Sequence, residues 1–254
     1  MVPEDRKSII LDALGKYGYL SVAELSRLCF VSVPTIRRDL SALEKEGDLK
    51  RTHGGASYVS ETTVVSPFSL RNRINIDEKR KIGKAAAKLL YNGATVFIDS
   101  SSTCYEFAKC IPQDMKLTVL TNAVRIASEL GFHNTMHIEI PGGDYDARHE
   151  SIFGDEAARF VQSRHADFCF LSCEGADGES GITGKLGIDG SVKRAMSEFA
   201  DKTILLCDSG KMEKVFYYRV MGWKGIDIMA TDSPPPENVA DACEKNNVEI
   251  IIAR

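Results

Sequence analysis

The sequence predicts an α/β protein in two parts, a small helical domain followed by a larger domain with a mostly parallel sheet. Two patterns predict this division. Residues 1–57 contain apolar residues at helical spacing and then a short basic hairpin, whereas residues 76–254 alternate short apolar segments with helical ones. Between them, the Ser/Thr-rich stretch 58–75 has weak periodicity and is predicted to be a linker.

Two helices are predicted at the start of the chain. The first presents these apolar side chains on one face: Ile9, Ile10, Ala13 and Leu14. The second begins at a capping box, with Ser21 at the N-cap and Glu24 at N3. Its Leu25 and Leu28 are expected to face the core. A tight turn at Cys29–Val31 leads into the next helix.

The third helix is expected to carry most of the function of the small domain. Ser32 and Pro34 favour its start, because both residue types suit a first turn whose backbone donors lack partners. The residues predicted to face the core are Val33, Ile36, Leu40 and Leu43. The residues left facing outward are Thr35, Arg37, Arg38 and Ser41, a polar and cationic surface that suits phosphates and base edges.

A basic hairpin is predicted after this helix. Leu49–His53 forms its first strand, and Gly54 and Gly55 turn the chain back. A helix followed by such a hairpin is typical of a winged helix-turn-helix, so we predict a DNA-binding domain. The residues predicted to contact DNA are Ser32, Thr35, Arg37, Arg38, Ser41, Arg51 and His53. The alternative is an ordinary three-helix bundle in which Arg37 and Arg38 are merely solvated.

Composition limits the class of protein further. A formal net charge of −4 over 254 residues does not oppose DNA binding, because phosphate contacts depend on a local basic patch. The basic run 71–88 is interpreted as a solvated helix start plus linker. Seven cysteines without a CxxC pair favour free thiols in a reducing cytoplasm. Without a membrane-length apolar run or a signal peptide, we expect a cytoplasmic protein with no membrane partner, metal or other cofactor.

Short apolar segments that alternate with helices predict a mostly parallel sheet, covered on both faces, in the larger domain. The predicted strands are Thr95–Ile98, Leu117–Leu120, His137–Ile140, Phe168–Leu171, Ile204–Cys207, Ile226–Ala230 and Val248–Ile252. Helices are expected from about Cys104 and through Leu130.

Polar residues follow several of these strands, and the carboxyl ends of parallel strands form the usual ligand crevice. Hydroxyls and free N–H groups at a helix start suit a phosphate, Lys211 supplies a point charge, and Asp99 and Asp177 are expected to accept sugar hydroxyls. The candidate effector-binding residues are Asp99, Ser100, Ser101, Ser102, Thr103, Thr121, Asn122, Gly142, Gly143, Glu174, Asp177, Lys193, Asp208 and Lys211.

The chain resembles the DeoR family of bacterial transcription regulators over nearly its whole length. The small domain matches through TIRRDL at Thr35–Leu40, through Arg51 and through HGGA at residues 53–56. The larger domain matches the phosphate loop, Thr-Asn, Gly-Gly, Gly-x-Asp and Asp-Ser-x-Lys segments of the family, although Ser101 replaces the loop glycine and Glu150 stands where a small residue is more usual.

The resemblance implies a winged helix-turn-helix joined to a sensor domain similar to ribose-phosphate isomerase. It also implies a homo-oligomer, dimer or tetramer, that binds double-stranded operator DNA. Most such regulators are repressors of carbohydrate-metabolism operons that release DNA when a phosphorylated sugar binds, and we expect the same here.

Two other hypotheses stay open at this point. The first is a sugar-phosphate isomerase that carries a DNA-binding head, with Glu174 or Asp177 as the base and Lys193 and Lys211 nearby. The second is a DNA-binding scaffold whose sensor domain no longer binds a ligand, an interpretation that the changes at Ser101 and Glu150 favour.

Overall fold

The computed structural model describes residues 3–17, 19–46, 48–52, 54–58, 68–147 and 149–254. The chain forms two compact units, Met1–Ile74 and Asn75–Arg254, called here the small unit and the large unit. None of the helices within the described ranges is long and apolar enough to cross a membrane.

The small unit is a winged helix-turn-helix, as predicted. Its elements are α1 (Pro3–Tyr17), β1 (Tyr19–Ser21), α2 (Val22–Cys29), α3 (Val33–Glu46), β2 (Leu49–Thr52), β3 (Gly55–Tyr58) and α4 (Phe68–Arg73). The strands form one antiparallel sheet in the order β1-β3-β2. The capping box is confirmed, because Ser21 Oγ accepts from the Glu24 N–H at 3.2 Å while Glu24 Oε2 accepts from the Ser21 N–H at 2.8 Å.

Two predicted core positions of the small unit are wrong. Leu28 is 44% exposed and Val33 is 36% exposed. Helix α2 has only two turns, and Leu25 and Cys29 already form its buried stripe. Val33 is the first residue of α3 and precedes the first buried residue of that helix, Ile36. Both side chains therefore lie beside the core rather than in it.

A buried ion pair joins the first and third helices. Arg6 Nε lies 2.6 Å from Asp39 Oδ2, and Arg6 Nη2 lies 3.0 Å from Asp39 Oδ1. Each side chain is 10% exposed. Asp39 stands within TIRRDL, so this acidic residue fixes the position of α3 while its neighbours Arg37 and Arg38 stay exposed.

The predicted linker, 58–75, is partly structured. Tyr58 ends β3, and residues 68–73 form α4, which begins at the buried Phe68 (3% exposed). A buried aromatic residue gives this short helix an anchor that weak sequence periodicity does not reveal. Residues 59–67 of the predicted linker lie outside the described residues.

The large unit is an α/β domain. Its helices are α5 (Ile76–Ala87), α6 (Ser102–Ala108), α7 (Val124–Leu130), α8 (Asp155–Gln162), α9 (Gly187–Glu198) and α10 (Glu237–Lys245). Its strands are β4 (Thr95–Ile98), β5 (Leu117–Thr121), β6 (Met136–Glu139), β7 (Asp144–Asp146), β8 (Ser151–Phe153), β9 (Ala166–Leu171), β10 (Gly175–Asp177), β11 (Gly181–Gly184), β12 (Ala200–Leu206), β13 (Tyr218–Met221), β14 (Ile228–Thr231) and β15 (Glu249–Ile252).

Seven of these strands form one sheet in the order β15-β14-β12-β9-β4-β5-β6, and every neighbouring pair is parallel. Successive residues of a strand enter different cores: Phe97 packs in one cluster, whereas Val96 and Ile98 pack in the other. The sheet is thus covered on both faces, which confirms the predicted fold class. The sequence does not predict two small antiparallel sheets, β7-β8 and β10-β11-β13. Strands β7 and β8 follow β6 in the chain, β10 and β11 follow β9, and β13 follows β12.

Candidate functional site

The outward face of α3 carries the predicted DNA-contact residues. Ile36, Leu40 and Leu43 are buried and fix the rotation of the helix, so Arg37 and Arg38 are exposed. At the start of the helix, the hydroxyls of Ser32 and Thr35 lie 2.9 Å apart.

The wing attaches to this same face. Arg51 Nη1 donates to Ser41 Oγ at 2.8 Å, and the Arg51 backbone N–H donates to Glu44 Oε1 at 2.9 Å. Ser41 in turn donates to the Arg37 carbonyl at 2.8 Å. The structure therefore brings Arg37, Ser41 and Arg51 onto one basic surface, with Arg38 beside them on the helix. His53 lies outside the described residues.

In the large unit, three lysines contact the loop Asp99–Thr103 that follows β4. Lys193 Nζ lies 3.3 Å from Asp99 Oδ2, and Lys79 Nζ donates to Ser102 Oγ at 3.0 Å. Lys211 Nζ donates to Thr103 Oγ1 at 2.9 Å. We call these three side chains the lysine cluster. The loop itself is buried throughout: Asp99, Ser100, Ser101, Ser102 and Thr103 are each at most 8% exposed.

Lys79 corrects the interpretation of the basic run 71–88 as a solvated segment. It is 3% exposed and lies on α5, whose first turn reaches the loop after β4. The sequence pattern missed it because burial of a lysine in a charged run depends on distant strands, not on its neighbours. Ser172, which accepts from Lys211 Nζ at 2.9 Å, was also missed.

The Asp99 side chain holds the loop in place through hydrogen bonds to backbone N–H groups. Its Oδ1 accepts from the Ser101 N–H at 2.7 Å, and its Oδ2 accepts from the Ser172 N–H at 2.8 Å. Burial disfavours the Asp99 carboxylate, but Lys193 and these donors outweigh it and lower the pKa of Asp99. Both oxygens are thus engaged within the protein, so the expected role of Asp99 as an acceptor of sugar hydroxyls does not fit this geometry.

Lys211 differs from Lys193 in the partners it has. Lys193 is paired with two carboxylates, those of Asp99 and Asp189. Lys211 is paired with Asp208 at 3.1 Å and otherwise with the neutral hydroxyls of Thr103 and Ser172. Burial opposes its charge, but Asp208 together with the nearby Cys173 and Cys207 outweighs that effect and raises the pKa of Lys211 to about 12.

Asn122 presents an acceptor next to this sheet edge. The side chain is 1% exposed, its Nδ2 donates to the Ile152 carbonyl at 3.0 Å, and its Oδ1 has no hydrogen-bond partner among the described residues. A buried acceptor of this kind requires a donor from water or a ligand. The neighbouring Thr121 Oγ1 accepts from the Ala123 N–H at 3.1 Å.

The remaining candidates make contacts within or beside the small antiparallel sheets β7-β8 and β10-β11-β13. Gly143 has φ of +135°, and a Cβ there would lie 2.7 Å from the Phe153 carbonyl oxygen, while Gly142 lies against the Glu156 side chain. Glu174 Oε2 accepts from the Lys185 N–H. Asp177 Oδ1 accepts from the N–H groups of Glu179 and Ser180, at 3.1 and 2.8 Å, in the turn between β10 and β11. These four candidates have evident structural roles.

Glu150 is neutralised by a neighbour. Arg125 Nη2 donates to Glu150 Oε1 at 2.7 Å, and a second bond joins Arg125 Nε to Glu150 Oε2. The carboxylate that stands at an unusual position in the sequence is therefore paired with a guanidinium, and it does not present an uncompensated charge to an anion.

Comparisons with known proteins cover both units. Residues 6–62 match the model described as the DeoR-like helix-turn-helix domain, and residues 74–233 match the DeoR C terminal sensor domain. The L-fucose operon activator of Haemophilus influenzae is 34% identical over 97% of this chain and 99% of that protein. The HTH-type transcriptional repressor GlcR of Bacillus subtilis is 31% identical over 99% of this chain and 97% of that protein.

Among solved structures, ribose 5-phosphate isomerase A from Methanocaldococcus jannaschii is similar with a TM-score of 0.41. The similarity covers 54% of this chain and 55% of that chain, with 13% identical residues.

Proposed function

The chain belongs to the DeoR family of transcription regulators, and from that membership we propose that it represses a carbohydrate-metabolism operon and leaves its operator when a phosphorylated sugar binds the large unit. The observation that carries the proposal is the lysine cluster, in which three cations contact one strand-end loop. Lysine ammonium groups bind phosphate as point charges, and a phosphate ester is the ligand that we propose for this cluster.

The three lysines of the cluster differ in whether a phosphate could replace their present partners. Lys193 is paired with two carboxylates and holds the loop in place. Lys79 and Lys211 each donate to a neutral hydroxyl that a phosphate oxygen can replace. Lys211 is also paired with one carboxylate, that of Asp208, for which a phosphate would compete. Asn122 Oδ1 then accepts from a hydroxyl of the sugar.

On the small unit, Arg37, Arg38 and Arg51 provide contacts to phosphates and base edges, with shorter contacts from Ser32, Thr35 and Ser41. His53, which follows β2 in the sequence, is proposed to reach the DNA backbone or the minor groove. One such unit offers few contacts, so we infer that operator binding requires a homo-oligomer, a dimer or tetramer, with small units on two half-sites.

The contacts of the carboxylates argue against the isomerase alternative. Glu174 and Asp177, which an isomerase would need as a base, accept backbone N–H groups of the β10-β11 region. The bonds from Ser180 and Glu179 lower the pKa of Asp177, which weakens it further as a general base. We propose that the protein is not an enzyme.

The test begins with an operator selected from a pool of random duplex DNA. Binding of the full chain is measured by fluorescence anisotropy, with and without fructose 1-phosphate, fructose 6-phosphate, glucose 6-phosphate, ribose 5-phosphate, deoxyribose 5-phosphate and glycerol 3-phosphate. Release by one of these compounds, and not by the parent sugar, supports the proposal. Operator binding that none of them changes contradicts it and favours a DNA-binding scaffold.

The sign of regulation needs a second assay, because the relatives above include an operon activator and a repressor. The selected operator is placed between a constitutive promoter and a reporter gene. Repression that is relieved by growth on the corresponding sugar supports a repressor, whereas expression that rises with the regulator present contradicts it.

A further inference from the structure

Two hydrogen bonds attach the first turn of α5 to the candidate effector site. Asn75 Nδ2 donates to Asp208 Oδ1 at 2.8 Å, and Lys79 Nζ donates to Ser102 Oγ at 3.0 Å. Asp208 follows β12 and is paired with Lys211, whereas Ser102 belongs to the loop after β4. The start of α5 therefore contacts both loops from which the lysine cluster is built.

The same turn is where the chain enters the large unit. Asn75 is the first residue of that unit, and only Ile74 separates it from Arg73, the last residue of α4. Helix α4 belongs to the small unit, in which its Phe68 is 3% exposed. In sequence, a single residue therefore separates Asn75 from a helix of the small unit.

Asn75 is held in an unusual conformation by this contact. Its φ and ψ are 53° and 42°, in the left-handed region, which asparagine enters more readily than most residues but which still requires support. The fit against the loop is close, because a Cβ at Gly210 would lie 2.6 Å from Asn75 Nδ2. The hydrogen bond to Asp208 supplies the support.

We propose that Asn75 is the positioning residue through which occupancy of the effector site changes the small unit. A phosphate beside Lys211 competes with Asp208 for that ammonium group, and the Asp208 carboxylate then moves relative to Asn75. The amide loses or changes its hydrogen bond, the left-handed conformation loses its support, and the chain direction into α4 changes. This inference rests on the proposed function, since it requires a phosphate ligand at the lysine cluster.

The test uses two variants of the full chain and one control. Asn75→Gly removes the amide but tolerates the left-handed backbone, so folding does not depend on the lost side chain. Asn75→Asp places a second carboxylate against Asp208. The control is Asn92→Ala, because Asn92 Oδ1 accepts one hydrogen bond of the same length, 2.8 Å from the Lys116 N–H, at the opposite end of β5.

Three quantities are measured for each protein: operator affinity alone, affinity for the sugar phosphate that acts on the wild type, and operator affinity with that compound present. Ordinary coupling lowers operator affinity by about 5- to 150-fold, and in both Asn75 variants we expect this ratio to fall below about 2-fold. We expect sugar-phosphate affinity to stay within about 3-fold of wild type in Asn75→Gly, while Asn92→Ala retains the full ratio.

The outcomes separate the inference from the proposed function. If no sugar phosphate acts on the wild type, the proposed function fails, and the inference fails with it. If the wild type responds and Asn75→Gly responds equally, only the inference is overturned. If Asn75→Gly loses sugar-phosphate binding itself, Asn75 is part of the binding site, and its assignment as a positioning residue is wrong.

Discussion

Replacement of Lys211 tests the electrostatics of the candidate effector site. Lys211→Met keeps the length of the side chain but removes the ammonium group from Asp208, Thr103 and Ser172. Asp208 is 1% exposed and would retain the Asn75 amide as a donor. Removing one partner of a buried ion pair typically costs about 3–5 kcal/mol. We expect about 3 kcal/mol, the low end, since the side chain of Lys211 is 17% exposed.

The assay uses Trp223, which is 4% exposed in the core of the large unit and is the one tryptophan of the sequence. Urea unfolding followed by its fluorescence reports the stability of that unit. Lys202→Met serves as the matched control, because Lys202 lies on β12 near Asp208 in sequence but is exposed. We expect a change of at most about 0.5 kcal/mol for this control.

A second substitution identifies the cause. Adding Asp208→Asn to Lys211→Met removes the uncompensated charge, so the double variant should be more stable than Lys211→Met alone. Both Lys211 variants should lose the stabilisation that an effector at 100 times its dissociation constant gives the wild type, about 2.7 kcal/mol. A Lys211→Met protein within about 1 kcal/mol of wild type that still binds the effector normally would refute the electrostatic argument.

Three more predictions concern DNA contacts, the small unit and pH. Arg37→Ala/Arg38→Ala should weaken operator binding and reduce the slope of log affinity against log salt by about 1.8, since each lost phosphate contact removes about 0.9. Fluorescence anisotropy at several salt concentrations measures this slope. An unchanged slope would mean that the two arginines do not contact phosphates. Asp39→Ala should destabilise the small unit by removing the carboxylate that pairs with Arg6 between α1 and α3, which faster amide hydrogen exchange in these two helices would report. Asp77→Ala on α5 should leave that exchange unchanged. The pKa of Lys211 is raised from 10.5 to about 12, so the charged lysine contributes fully to stability below pH 10.5 and loses that contribution as the pH rises through 12. The difference in unfolding free energy between wild type and Lys211→Met should therefore shrink over that pH range. A constant difference would contradict the raised pKa.

Local interactions explain which parts of the fold could be predicted. The Ser21–Glu24 capping box, the turn at Gly54 and the buried stripe of α3, apart from Val33, depend on residues close in sequence, and the structure confirms them. The parallel strands were predictable for a related reason, because strands buried on both faces are continuously apolar. The sequence places their bounds less well, and β12 begins at Ala200 rather than at the predicted Ile204.

The missed features depend on distant contacts. Lys79 is buried against Ser102, and Asp39 against Arg6, so neither appears in a local pattern. Asp177 is different, because its bonds to the two following N–H groups form a turn that Asp177-Gly178 could have indicated. The Asp177-Gly178 dipeptide therefore predicts a turn as well as it predicts a ligand contact.

The raised pKa values of Lys193 and Lys211 have a consequence for how the ligand would be sensed. Because these two ammonium groups remain protonated across the physiological range, they neither take up nor release a proton when a phosphate ester binds. The second ionisation of a phosphate monoester lies near pH 6. Any change of effector affinity between about pH 5 and pH 7 should then follow the conversion of the ligand from monoanion to dianion. Lys193 and Lys211 would keep their charge, and the acidity of the metabolite would determine how strongly the regulator responds.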